Sequence, residues 1–100
     1  MMDKLLVIRN LKSSKKKLAE DFGIDEIGLF GSYVKGLQNS QSDVDLVFHL
    51  KPGYRIKHAK LIELETFLAG ILHTKNIDLV NWKNMNPLVK FDMEKTVEYV

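Results

Sequence analysis

The spacing of apolar residues alternates between helical and strand periods along the chain. Leu11, Leu18 and Phe22 fall on one helical face and Gly23 supplies a stop, which predicts a helix over about 9–22. Ile24 to Phe30 then reads as a short buried strand, and Val44 to Leu50 as a second. The interval from Lys35 to Ser42 is polar and reads as a loop, with Gly36 closing a short helix after the first strand. Lys51-Pro52-Gly53 ends the second strand, because proline and glycine there favour a turn. From Tyr54 to His73 the period is helical again, with Leu61, Leu64, Leu68 and Ile71 at three- and four-residue steps; Gly70 within it marks either close packing or local fraying. Ile77 to Val80 gives a third strand, and Pro87 suits the first turn of a final helix reaching about Tyr99. These elements predict an α/β protein of the α+β kind: a short mixed sheet with helices packed mainly on one face, the other face open.

Composition narrows the picture. One hundred residues predict a single domain spanning 1–100, enough for a modest core and too little for separate catalytic and substrate domains. The formal net charge of +2 is too small to identify a nucleic-acid binder. With no cysteine, disulfides and thiol or cysteine-zinc chemistry are excluded, and a reducing cytoplasm is the expected setting. Leu5 to Ile8 is too short for a signal-peptide core and meets Arg9, and no later apolar run approaches membrane-spanning length, so no membrane association is expected. Lys15-Lys16-Lys17 reads as the solvent side of the first helix, with a basic contact to RNA or to an acidic protein face as the alternative.

Chemistry concentrates in Gly31-Ser32-Tyr33-Val34-Lys35-Gly36 and, a few residues on, Ser42-Asp43-Val44-Asp45-Leu46. Asp43 and Asp45 lie two apart in a strand-like run, so they share a face and can grip one divalent ion or bridge two. Gly31-Ser32 follows the first strand where a helix would begin, and free backbone N–H groups at such a turn bind phosphate oxygens. Either half alone is ordinary turn or strand-edge sequence. Their order and spacing together are hard to explain structurally and point to nucleotidyl transfer.

The pattern resembles the DNA polymerase beta-like nucleotidyltransferase superfamily, and the short chain resembles its minimal nucleotidyltransferase branch. The resemblance covers most of the chain. It implies that Gly31, Ser32, Lys35 and Gly36 hold the triphosphate of ATP, and that Asp43 and Asp45 bind magnesium, two ions in all. The third carboxylate of the family falls on Asp78, in the strand-like run Asn76 to Asn81 beyond the long helix. Where the family often has a small residue and then arginine before the second glycine, this chain has Val34 and Lys35; lysine keeps the charge without arginine's planar fork. Ser42 reads as a local cap or turn residue.

The resemblance further implies an antitoxin that pairs with a helical ribonuclease toxin of the HEPN class, in a hetero-oligomer, and adenylylates a tyrosine on it. A second reading is an antitoxin that neutralises its partner by binding alone. A third is nucleotide transfer to RNA, which the modest charge disfavours, or to a small hydroxylated antibiotic. Other chemically capable residues read as structural. His49, His58 and His73 have no shared metal-ligand spacing; His49 reads as strand termination and His73 as a helix-end residue. Trp82 reads as packing ahead of base stacking, whereas Tyr33 is balanced between nucleotide contact and packing under the turn. Glu94, Lys95, Glu98 and Tyr99 read as the surface of the last helix, whose scattered apolar residues leave room for a protein interface.

Overall fold

In the computed structural model, which describes residues 3–31 and 43–100, helix formation starts at Asp3, whose carboxylate accepts the Leu6 N–H at 2.9 Å. That cap begins α1 (Lys4–Ser13), placing Val7 and Leu11 one turn apart and buried. A second helix, α2 (Lys15–Phe22), buries Leu18 and Phe22 and ends at Gly23, whose φ of 68° is the left-handed cap predicted for it. The single helix predicted over 9–22 is therefore two helices beginning at Lys4. They break at Ser14, where φ −104° and ψ 2° leave the helical basin and the Ser14 N–H bonds the Leu11 carbonyl at 3.1 Å. The break lets Leu11 and Leu18 both reach the same core. Lys15, Lys16 and Lys17 are exposed, as their solvent-side reading requires.

Among the described residues, four strands form one mixed sheet in the order β3-β2-β1-β4. β1 (Ile24–Phe30) runs antiparallel to β2 (Val44–Leu50), with Ile27 opposite Phe48 and Leu29 opposite Leu46. β2 runs parallel to β3 (Ile77–Asn81), a pairing that requires a long crossover, supplied by α3 (His58–Leu72). The helix begins four residues later than the predicted Tyr54, because Gly53 takes φ 84° in a turn and Tyr54 lays its ring across the bare α-carbon of Gly23. At its other end His73 adopts φ 53° as the left-handed cap. Leu64, Leu68 and Leu72 of α3 join Val7, Leu11 and Leu18 over Ile27, Leu29, Leu46 and Phe48, so α1 to α3 cover one sheet face as predicted. Gly70 is exposed with open space around it, and takes no part in close packing.

The C-terminal segment departs from expectation. Asn86 caps α4 (Pro87–Met93), with Pro87 in the first turn, but the helix ends at Met93, and Glu98–Tyr99 form β4 against β1. Glu98 and Tyr99 are therefore strand residues, not helix surface. Two features favour the switch. The N–H groups of Thr96 and Val97 both return to the Met93 carbonyl at 2.9 Å, closing the helix. Gly28 on β1 then leaves a groove: a Cβ there would lie 2.7 Å from Val97 Cγ2 and 2.9 Å from Tyr99 Cδ1. Lys4 of α1 pairs with Glu98 at 2.6 Å, tying the short strand to the first helix. Among the described residues, no helix is long and apolar enough to cross a membrane.

Candidate active site

Alternation along β2 separates core from site. Val44, Leu46 and Phe48 enter the core, which turns Asp43, Asp45, Val47 and His49 to the opposite sheet face. Register then brings in the neighbours: Asp45 is opposite Phe30 on β1 and opposite Asp78 on β3. Residues opposite one another on adjacent strands share a face, so Asp43, Asp45 and Asp78 stand on the same one, with Asp45 central. The predicted trio is thus brought to one face. Asp43 and Asp78 are exposed, whereas Asp45 is half-buried. Burial raises the Asp45 pKa above its ordinary value, and the charges of Asp78 and then Asp43 raise it further.

Gly31 follows Phe30 directly, at φ 75°. A Cβ there would run into the Asp45 carboxylate, so the turn backbone and the central carboxylate lie against each other only because the residue is glycine. Ser32, Lys35 and Gly36, the other predicted nucleotide-binding residues, lie outside the described residues, as do Tyr33 and Ser42.

The donor set suits a hard divalent cation: carboxylate oxygens, arranged about one half-buried aspartate. Among the described residues, no three histidine, cysteine or carboxylate side chains converge into a ready-made metal cage. The residues fit magnesium in donor type.

Two features of this face were not foreseen. Beside Gly31 opens a cavity of about 380 Å³, walled by Phe30 and by Val89, Asp92, Met93 and Thr96 of the C-terminal segment. No sequence signal pointed there, since it depends on the segment folding back across the sheet. At the far end, His49 is held between two rings: its Nε2 lies 2.6 Å from the Tyr99 hydroxyl, and Trp82 stacks on it with centroids 5.0 Å apart. His49 therefore anchors β4 from within its strand, and Trp82 packs as its sequence position suggested.

The mixed sheet thus brings three carboxylates to one face and sets a positive-φ glycine turn against the central one. Residues 11–100 match the family model described as nucleotidyltransferase domain. The chain is 40% identical over 87 residues to a protein adenylyltransferase, MntA, of Thermococcus cleftensis, covering 87% of this chain and 81% of that one. Among solved structures, one assigned as a minimal nucleotidyltransferase superposes with a TM-score of 0.77 at 22% identity, over 97% of this chain and 95% of that one. An antitoxin-toxin complex, tri-AMPylated Shewanella oneidensis HEPN toxin with MNT antitoxin, gives 0.67 at 18% identity, over 96% of this chain and 70% of that chain. The chain belongs to the nucleotidyltransferase domain family and is a nucleotidyltransferase.

Proposed function

We propose that this chain, acting as one domain over residues 1–100, transfers AMP from ATP to a hydroxyl of a partner protein. The acceptor is a tyrosine of a HEPN ribonuclease toxin, and the chain thereby serves as a cytoplasmic antitoxin in a hetero-oligomer. The observation that carries the reading is the register of Asp45 against Asp78, with Asp43 on the same face and Gly31 pressed to the central carboxylate. The relatives lend the acceptor class: one is named a protein adenylyltransferase, and one structural neighbour is an antitoxin bound to an AMPylated HEPN toxin.

Asp43, Asp45 and Asp78 would hold two magnesium ions. Bound there, magnesium stabilises the negative charge that develops on the attacking and departing oxygens. Gly31 admits the phosphates close to the turn backbone, and Ser32, Lys35 and Gly36 complete the triphosphate cradle. The acceptor oxygen attacks the α-phosphorus, one P–O bond forms, and the bond to the bridging oxygen of pyrophosphate breaks. Asp78 is exposed and accepts the proton of the acceptor hydroxyl. Pyrophosphate leaves with its electron pair.

Incubation with α-phosphate-labelled ATP, magnesium and a HEPN-class toxin tests this. Label should enter a protease-sensitive, nuclease-resistant band and be lost in Asp43→Asn/Asp45→Asn. Undiminished transfer by that variant refutes the assigned carboxylate role, and nuclease-sensitive label moves the acceptor to RNA. Equal neutralisation of the toxin by wild type and variant at stoichiometric amounts would mean that binding, not modification, is the antitoxin activity, whereas loss by the variant at catalytic amounts supports modification.

A further inference from the structure

Among the described residues, strand β3 ends the sheet. It pairs with β2 on one side, and no described residue pairs with its other side. The Val44 N–H bonds the Asn76 carbonyl at 2.7 Å, which sets the phase of the parallel ladder. With Val44 opposite Ile77, the alternation of that ladder gives the backbone groups of Asp78 and Val80 to β2 and points those of Ile77, Leu79 and Asn81 outward. The open edge is thus an array of donors and acceptors that an extended chain can meet.

A cavity of about 660 Å³ lies along this edge. Phe48, Leu61 and Leu79 give it apolar walls, and Asn81 joins them from the strand end. Arg55 and Lys83 also line it; both are exposed, and neither side chain makes an ion pair or hydrogen bond with the described residues. Its volume falls within the range of about 300–1,000 Å³ common for ligand sites. An edge with free backbone groups, apolar walls and two uncommitted cations matches an extended, apolar polypeptide with acidic flanks. The edge is also continuous with the carboxylates, because Asp78 is its second residue.

We propose that β3 receives the acceptor polypeptide as an added strand. The residue opposite Asp78 shares Asp78's face and carries the hydroxyl; its neighbours in sequence turn to the other face, and apolar side chains there enter the cavity. Acidic residues beyond them meet Arg55 and Lys83. This deepens the proposed function and rests on it, since it assigns how the acceptor is recognised at the same site.

The test uses the whole chain and a synthetic peptide with one tyrosine between two leucines and two glutamates at each end. At millimolar peptide, amide exchange followed by NMR should slow at least tenfold at Ile77, Leu79 and Asn81. Asp78 and Val80, already bonded to β2, should be unchanged. A peptide N-methylated at both leucines should give no protection. Arg55→Glu/Lys83→Glu should weaken binding at least tenfold, and a lysine-flanked peptide should restore it. No protection, protection without the odd-residue pattern, or charge-insensitive binding would overturn the inference. AMP transfer to the peptide tyrosine is scored separately. Patterned protection without transfer supports the docking edge and places the failure in the transfer reading; transfer without protection overturns the docking edge and leaves the transferase reading standing.

Discussion

Replacing Asp45 with asparagine should make the metal-free protein more stable at neutral pH while removing its activity. An aspartate whose pKa rises on folding holds its proton more tightly in the native state. Ionisation therefore opposes folding, increasingly as pH climbs from the ordinary value of 3.8 through the raised native value; above both, the penalty is constant. The causes are burial first, then Asp78 and Asp43. Carboxylates on neighbouring strands about 5 Å apart repel by ~0.8 kcal/mol in water and ~3 kcal/mol at an effective dielectric of 20. Because Asp78 is exposed, screening puts the energy toward the lower end, at about 1 kcal/mol. For a chain of this size that is a rise in Tm of roughly 4–8 °C. Urea and thermal unfolding in EDTA at pH 7, 5 and 3.5 would measure it, with Asp45→Asn the more stable at pH 7 and its advantage shrinking toward pH 3.5. A lower Tm for the variant at pH 7, or an increment independent of pH, would refute the reasoning.

Other perturbations follow from single contacts. Gly31→Ala places a Cβ against the Asp45 carboxylate at a positive φ, so it should cost about 1–3 kcal/mol in urea unfolding and abolish transfer. Tyr99→Phe removes the 2.6 Å bond to His49 and should cost about 1 kcal/mol by the same assay. Burial, then Glu26 and Glu94, raise the Tyr99 pKa above 10.0, so ultraviolet titration should show a late-ionising component that is lost in Tyr99→Phe. The stability that Tyr99 contributes should fall as pH rises through that native value. Gly28→Ala drives a Cβ into Val97 and Tyr99, and should release β4, seen as faster amide exchange at Glu98 and Tyr99.

Strands β1 to β3 were legible because strand period is local. Alternation in Val44 to Leu50 commits three apolar side chains to the core, and that alone turns Asp43 and Asp45 to the other face. The Gly23 stop and the Pro87 start were equally readable, since each rests on one residue's backbone preference. The ends of the helices were less so: Asp3 extends the first toward the N-terminus through a side-chain cap, and Ser14 divides it without a proline or glycine to announce the break.

Tertiary structure decided what depends on distant partners. Asp78 joins Asp45 only through the parallel register of β2 and β3, which the packing of α3 across the sheet makes possible. The last segment carries enough helical pattern to be read as one helix, yet it folds into β4. A glycine some seventy residues earlier leaves the groove that Val97 and Tyr99 fill. The two cavities arise in the same way, between elements far apart in sequence. Local period determined which residues could face a site; long-range packing, which satisfies edge hydrogen bonds and buries apolar area only on folding, decided which of them meet.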